Sequence, residues 1–541
     1  GGASFVPGPK PEDVIRKGGA GSVLWLNDTK QFNALQKIAV EESPSKIPLL
    51  FALDVIHGYR TIFPVPLALA SSWDPAVAER AQAVAAREAR AAGLHWTFAP
   101  MVDIARDPRW GRVAEGAGED PYLGSVIAAA AVRGFQGDDL SDPRRLLACA
   151  KHFVGYGGAE GGRDYESVEM SMRTLRDVYL PPYHAAVKQG VASLMAAFHD
   201  LNGIPLNAHR ELLTDLLRSE WGFKGFVVSD WRSVIELVNH GIAADPAEAA
   251  YAGLLAGVDM DMASDVYRLH LPELVADGHL AEEQIHEAAH RILRLKFLAG
   301  LFDNPYTDPA RHKTTLLKPE YRQAARQVAQ QSMVLLKNQD LLPIDSRFKK
   351  IAFVGPLVHA RGELLGMWTV DGRAEDVTPL SQAVREVAPK NFDLWFADQA
   401  DDAVRMAQHA DLVVALVGEH PSRSGENNNV ADLSLPPGQT QLIEALADLG
   451  KPLVVVVFAG RPLAITRESR LADALLYAWH PGSEGGYALA DLLFGLAQPS
   501  GRLPITMPRR TGQVPVYYAH KPSGRPVAST DEFLTRYNDT L

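Results

Sequence analysis

Short apolar runs alternate with amphipathic helical patterns through the first 300 residues of the chain. Seven of the runs have the length and composition of buried parallel strands. They cover residues 21–26, 49–54, 95–100, 146–153, 192–198, 225–230 and 258–262. Between them, the clearest helix is predicted over 74–92, where Asp74 is the N-cap, Pro75 opens the first turn and Gly93 ends the pattern.

This alternation extends over about 250 residues, which is the length of a (β/α)8 barrel. Residues 1–304 are therefore predicted to form a TIM-like barrel. Only seven strands are convincing, so one strand is missing or degenerate. An open, doubly wound sheet is the alternative, because periodicity does not distinguish closed from open sheets.

The pattern changes in the second half of the chain. A polar, proline-containing stretch at 305–319 is predicted to be a linker. Residues 320–508 then form a second α/β unit, with helices over 320–336 and 439–449 and strands over 351–355, 412–418, 453–459 and 474–479. Residues 509–541 are predicted to be an irregular tail.

Composition excludes several classes of protein. A chain of 541 residues is too long for one hydrophobic core. Its net charge of -11 disfavours nucleic acid and anionic membranes as partners, because both attract clustered Lys and Arg. The single cysteine, Cys149, cannot form an internal disulfide, and the longest apolar run, 453–459, is too short to cross a bilayer.

The first candidate for chemistry is Asp230. It directly follows the apolar run 225–228 and Ser229, and barrels place their chemistry at the C-terminal ends of strands. Asp230 is therefore a candidate nucleophile. An Asp at this position is as often the N-cap of the next helix, and the single residue does not decide between the two.

Other strand ends in the first half also carry charged side chains. Each of these groups alone is better explained as a helix cap, an ion pair or a buried histidine. Together they describe a pocket that binds many hydroxyl groups beside an indole ring, which is how a sugar is held. The members of this set are Asp54, His57, Arg60, Arg106, Arg109, Arg112, Lys151, His152, Trp110 and Trp231.

With these motifs in place, the chain resembles glycoside hydrolase family 3, and most closely its β-glucosidase branch. The resemblance covers essentially the whole chain. It rests on the motifs at 52–58, 99–115, 151–153, 221–230, 481–486 and 499–504, which are long and occur in the order of the family.

The resemblance implies a barrel followed by an α/β sandwich domain, with the active site between them. It implies a retaining exo-β-glucosidase without metal or organic cofactor, acting on β-linked oligosaccharides or aryl glucosides and releasing glucose. Asp230 matches the nucleophile and Glu426, on the loop 418–427, matches the acid/base, with Glu419 as its nearest rival. The positions matching substrate-binding residues are Asp54, Arg60, Arg112, Lys151, His152, Trp231, Met195 and Phe198.

The expected chemistry agrees with two carboxyl groups. Retaining hydrolysis needs an ionised nucleophile and a protonated acid about 5–5.5 Å apart. A glutamic acid that faces an ionised Asp230 is expected to have a raised pKa.

Two departures from the family pattern leave alternatives open. Phe198 stands where many relatives have a Tyr, so a hydrogen bond to Asp230 is expected to be missing, and Val430 stands where many have an Arg. A catalytically inactive sugar-binding relative is therefore one alternative. A β-xylosidase or arabinofuranosidase is another, because one substituent on the sugar ring is a small difference for a pocket to distinguish. The N-acetylglucosaminidase branch is disfavoured, because Val154 and Tyr156 replace its proline and second histidine.

The resemblance also favours a periplasmic or secreted location. The chain begins at Gly1 without an initiator Met, which we interpret as a processed or trimmed N-terminus. The oligomeric state stays open.

Overall fold

The structure is a computed structural model that describes residues 10–26, 28–527, 534–537 and 539. In the first half, short parallel strands stand side by side and a two-stranded hairpin follows the fifth. The strands are β1 Ser22–Leu24, β2 Leu50–Leu53, β3 Trp96–Thr97, β4 Cys149–Phe153, β5 Ser193–Ala196, the hairpin strands β6 Asp200–Leu201 and β7 Ile204–Pro205, and β8 Phe226–Ser229.

The parallel strands follow one another around a curved wall. The sheet β1-β2-β3 continues into β4-β5-β8 through a parallel bridge between Trp96 and Leu147, and a bridge between Val228 and Met260 adds a seventh position. All seven predicted strand positions are thus present. At the open seam, the Ser22 hydroxyl donates to Met260 Sδ at 3.5 Å, and within the described residues no eighth strand pairs with β1.

Helices surround this wall. The predicted helix at 74–92 is confirmed as Pro75–Ala92, with the Asp74 side chain accepting from Ala76 N–H and Gly93 at a left-handed φ of 115°. The other main helices of the first half are Pro11–Arg16, Thr29–Lys37, Pro66–Ser71, Pro121–Gln136, Leu180–Lys188, Glu211–Glu220, Pro246–Ala256, Val266–Ala276 and Glu282–Leu298.

The second half is built on one six-stranded sheet in the order β11-β10-β12-β13-β14-β9, in which only the edge strand β9 is antiparallel. The strands are β9 Val334–Asn338, β10 Lys350–Val354, β11 Asp393–Ala397, β12 Leu412–Gly418, β13 Leu453–Phe458 and β14 Ala474–Tyr477. The helices are Pro309–Thr315, Pro319–Ser332, Leu380–Val387, Ala400–Ala407, Gln439–Ala447, Thr466–Leu471 and Gly485–Leu493.

Two edge strands were not foreseen. The predicted helix over 320–336 is wrong at its end, because the chain leaves the helix at Ser332 and enters β9. Strand β11 is partly exposed along most of its length and therefore lacks the continuous apolar run that marks β12 and β13.

The stretch at 305–319 contains the helix Pro309–Thr315 and contacts the first half, where Asn33 Nδ2 donates to Thr307 O at 2.8 Å. Part of the tail also returns to the first half, since the Arg106 guanidinium lies 4.0 Å above the Tyr517 ring. The exact division into domains stays a prediction. Among the described residues, no helix has both the length and the apolar character needed to cross a membrane.

Candidate active site

A cavity of about 590 Å³ opens at the C-terminal ends of the barrel strands, and residues from both halves of the chain line it. Eight of the ten predicted site residues lie on its wall. They are Asp54, Arg112, Lys151, Met195, Phe198, Asp230 and Trp231 from the first half and Glu426 from the second.

Asp230 comes directly after β8, and its side chain is 11% exposed. Its Oδ1 accepts from the Trp231 N–H at 2.6 Å. Its Oδ2 has no hydrogen-bond donor among the described residues, in agreement with the apolar Phe198 nearby, and His152 Nε2 lies 3.6 Å away.

Burial raises the pKa of the Asp230 carboxyl to about 7, and the charge of Glu426 adds to the effect. Arg112 and Lys151 act in the opposite direction. We expected Asp230 to be readily ionised. In the structure, burial raises its pKa by more than Arg112 and Lys151 lower it, so ionisation is less favourable than expected.

His152 is held by a buried carboxylate. Its backbone N–H and its Nδ1 both lie 2.9 Å from Asp103 Oδ2, and the Tyr183 hydroxyl donates to Asp103 Oδ1 at 2.7 Å. Burial lowers the pKa of His152 well below its usual value, so the ring is neutral at physiological pH. Its Nε2 is thereby directed at Asp230 without adding a charge.

Asp54 and Lys151 form the buried end of the cavity wall, whereas Trp25 and Trp231 on the same wall are about half-exposed. Lys151 Nζ donates to Asp54 Oδ1 at 2.7 Å, and both side chains are nearly buried. Burial acts to lower the pKa of Lys151, but the carboxylates of Asp54 and Glu115 together raise the pKa of the ammonium above its usual value. The pair presents carboxylate and ammonium groups suited to binding adjacent hydroxyls.

Glu426 faces the cavity from the second half. Its Oε1 accepts a hydrogen bond of 2.9 Å from the Tyr165 hydroxyl and lies 3.4 Å from Arg112 Nη1. Arg112 is itself fixed by two hydrogen bonds to Glu115, at 2.9 and 3.1 Å. The two carboxyl groups of the site, Asp230 and Glu426, thus share one buried guanidinium as a neighbour.

The loop that carries Glu426 is attached to the barrel side. Asn427 N–H donates to Asp164 Oδ2 at 2.7 Å, and Gly425 N–H donates to Gly111 O at 2.7 Å. Gly111 is required by this approach, because a Cβ there would lie 2.2 Å from Gly425 O. Arg461 adds a bridge, with hydrogen bonds to Pro108 O at 2.7 Å and Asn428 O at 2.8 Å.

Glu419, the rival acid/base, has a different environment. It is fully buried, its Oε1 accepts from Arg423 Nε at 2.8 Å, and Arg461 Nε lies 3.5 Å from its Oε2. It does not line the cavity. The geometry therefore favours Glu426.

Comparison with family models assigns both halves of the chain. The model of the glycosyl hydrolase family 3 N terminal domain matches residues 10–295, and that of the family 3 C-terminal domain matches residues 333–538. The chain belongs to glycosyl hydrolase family 3. The predicted barrel followed by an α/β sandwich is confirmed, and the protein is a retaining glycoside hydrolase.

Family 3 relatives match along most of the chain. A periplasmic β-glucosidase of Salmonella typhimurium is 39% identical over 97% of this chain and 74% of its own length. The crystal structure of a Listeria innocua β-glucosidase in complex with glucose has a TM-score of 0.93 and 40% identity, covering 96% of this chain and 74% of that one. A putative β-xylosidase of Formosa agariphila is 37% identical over 90% of this chain and 67% of its own length.

Two predicted family 3 site residues do not line the cavity. His152 contacts it only through Asp230. Arg60 lies elsewhere: its guanidinium is ion-paired with Asp371 at 3.3 Å and Asp376 at 2.6 Å, in the second half of the chain. A role of Arg60 in binding the substrate therefore stays a prediction, and in the structure its guanidinium is paired with carboxylates outside the cavity wall.

Sequence reasoning missed several residues of the wall. Tyr165 and Trp368 lie in irregular loops with no periodic pattern, and Trp25 was placed inside a predicted strand. Glu236, Asn239 and His240 follow Asp230 in the sequence and also line the cavity. The only sequence signal for Glu236, Asn239 and His240 was that they lie within ten positions of Asp230. Tyr165 and Trp368 are far from Asp230 in the sequence and had no such signal.

Proposed function

We propose that this family 3 enzyme hydrolyses terminal β-glucosidic bonds with Asp230 as nucleophile and Glu426 as general acid/base. The observation that carries the proposal is the meeting of these two carboxyl groups, one from each half of the chain, on the wall of one cavity. Two carboxyl groups on either side of the scissile bond are what retaining hydrolysis requires.

In the first step, an Asp230 carboxylate oxygen forms a bond to the anomeric carbon while the bond from that carbon to the glycosidic oxygen breaks. The proton of Glu426 passes to the departing oxygen. In the second step, Glu426 takes a proton from water as the water oxygen attacks the same carbon and releases Asp230. Two inversions leave the product in the β configuration.

The rest of the wall supports exo action. Asp54 and Lys151 are the nearly buried pair of the wall, and we propose that the last sugar unit of the chain binds against them. The half-exposed indoles Trp25 and Trp231 lie at the cavity too, where the substrate leaves for solvent. The enzyme is therefore an exo-acting β-glucosidase for β-linked oligosaccharides or aryl glucosides, with glucose as product.

We also propose a periplasmic or secreted location, because the Salmonella relative is named a periplasmic β-glucosidase. Fractionation of cells that express the full-length gene would test it, and activity confined to the cytoplasmic fraction would contradict it.

The test of function is hydrolysis of a chromogenic aryl β-glucoside, with the first-formed anomer identified by NMR. β-Glucose from the native protein and no turnover by Asp230→Asn are expected. α-Glucose as first product would exclude a retaining mechanism, and turnover of the matching β-xyloside alone would favour the xylosidase alternative.

A further inference from the structure

Arg60 connects the two halves of the molecule beside the active site. It lies in the barrel segment 57–62, and its side chain is only 11% exposed. Its partners, Asp371 and Asp376, lie in the segment 366–376 that follows β10 and that we call the Trp368 loop. Glu375 adds a third carboxylate at 3.6 Å.

Other contacts join the same two segments. The Asp371 N–H donates to Tyr59 O at 3.2 Å, and His57 Nε2 lies 2.6 Å from Met367 O. Gly372 packs so closely that a Cβ there would lie 2.4 Å from Ile62. These contacts flank Trp368 on both sides, so the barrel sets the position of the whole Trp368 loop.

Trp368 is the part of this loop that lines the cavity. On one side its ring centroid lies 5.5 Å from Lys151 Nζ, at the buried end of the wall. On the other side its ring centroid lies 6.2 Å from that of Trp25, which is 51% exposed. The Trp368 indole therefore extends from the terminal-sugar end of the cavity to its mouth, where the leaving group sits.

Charge explains why Arg60 is needed. Two nearly buried carboxylates and a third nearby converge on one guanidinium, and without it they repel one another. The only other described cation paired with this group is Arg373, which is half-exposed and lies 3.5 Å from Asp371 and 3.4 Å from Glu375. Arg373 has no ion pair with Asp376 among the described residues.

We propose that Arg60 is a positioning residue that holds the Trp368 loop against the barrel and so shapes the leaving-group side of the cavity. It acts through Asp371 and Asp376 and does not contact the sugar. The inference rests on the proposed function for its substrate class and names the part of the substrate that Arg60 governs.

The test compares two β-glucosyl substrates with different leaving groups, β-glucosyl fluoride and a β-linked glucobiose. The variants are Arg60→Met, Asp376→Asn and their combination, with Arg373→Met as the exposed control. We expect kcat/KM for the glucobiose to fall about tenfold in Arg60→Met and in Asp376→Asn. The double variant should lose no more, because each change alone already displaces Trp368 from the leaving group. For the fluoride, whose leaving group is a single atom and makes no sugar contact at the mouth of the cavity, we expect a change below about twofold.

A role of Arg60 in binding the terminal sugar gives the opposite result. Both substrates would then lose activity equally in Arg60→Met, and Asp376→Asn would be silent, which would overturn the proposal. Asp376→Asn keeps the test decisive if Arg60→Met fails to fold. The control Arg373→Met is expected to resemble the native protein with both substrates.

A second readout does not depend on turnover. The contribution of Trp368 to tryptophan fluorescence is obtained by subtracting the Trp368→Phe protein in each background. We expect acrylamide to quench this contribution more strongly in Asp376→Asn than in the native background, and unchanged quenching would contradict the loop assignment. If the native protein cleaves neither substrate, the proposed function fails, and the quenching result still decides the role of Arg60.

Discussion

The two faces of the cavity are built in different ways. On the barrel face, Lys151 lies within β4 and Asp54 and Asp230 directly follow β2 and β8, so buried strands fix their backbones. On the sandwich face, Glu426 and Trp368 lie on loops, and cross-domain contacts to Asp164, Gly111 and Arg60 hold these loops in place.

This difference fits the roles that we propose for Asp230 on the barrel face and Glu426 on the sandwich face. Binding a sugar ring and attacking its anomeric carbon require groups that do not move, which short strands in a packed barrel supply. Proton transfer to and from the leaving oxygen needs a group that reaches its partner at two different steps. A loop held by a few polar contacts is suited to that role.

The largest effect is expected on the barrel face. Asp230→Asn removes the proposed nucleophile and should lower kcat by at least about 10³-fold on every glucoside, whatever its leaving group. Steady-state assays on an aryl glucoside measure this. Asp200→Asn, in the hairpin outside the cavity, serves as the matched control. Near-normal turnover by Asp230→Asn would show that Asp230 is not the nucleophile.

On the sandwich face the loss should depend on the leaving group. Glu426→Gln should slow hydrolysis of a glucobiose about 10²–10⁴-fold, because the departing sugar needs a proton. A dinitrophenyl glucoside needs none, so its first step should be nearly unaffected. Added azide should then speed turnover by attacking the glycosyl enzyme without a base. If Glu419→Gln shows this pattern instead, the assignment of the acid/base is wrong.

Asp54 tests the buried end of the cavity wall, where we propose that it accepts hydrogen bonds from the 4- and 6-hydroxyls of the terminal sugar. Asp54→Ala removes this acceptor and the partner of Lys151, so kcat/KM for a glucoside should fall about 10²-fold or more while the protein stays folded. A xyloside lacks the 6-hydroxyl and should lose less. Circular dichroism checks folding, and a folded variant with near-normal kinetics would contradict the assignment.

The same contrast explains what the sequence could and could not foretell. Asp230 and Asp54 were visible because an apolar run ending in a carboxylate is a local pattern. Glu426 had no such pattern and was found only through the family resemblance. Tyr165, Trp368 and the partners of Arg60 depend on contacts between residues far apart in the chain, more than 300 positions apart for Arg60 and Asp371. Periodicity carries no information on such contacts.

The pH profile tests the electrostatics of the barrel face. With a pKa of about 7, Asp230 becomes protonated as the pH falls below that value and can no longer attack. The acid limb of kcat/KM, which reports the free enzyme, should therefore lie near pH 7 and fall about tenfold per pH unit below it.

Removing a cation should move this limb. Arg112 lowers the pKa of Asp230, so Arg112→Gln should shift the acid limb upward by about one pH unit. An acid limb below pH 5 in the native enzyme, or a downward shift in the variant, would show that burial does not control Asp230.

The smallest expected effect is on stability: Asp230→Asn, which should abolish activity, should raise the free energy of unfolding at alkaline pH. The native Asp230 pKa is about 7, against 3.8 for an unperturbed Asp, so the native state binds more protons than the unfolded state between these values. The free energy of unfolding should therefore decrease as the pH rises through this window, by at most about 4 kcal/mol from Asp230.

Asp230→Asn, which carries no charge, should be more stable than the native protein at pH 8 and similar to it near pH 4. Thermal unfolding at the two pH values measures the difference, expected as up to about 3 °C at pH 8. A lower melting temperature for Asp230→Asn at pH 8 would mean that the charged carboxylate is well stabilised by Arg112 and Lys151.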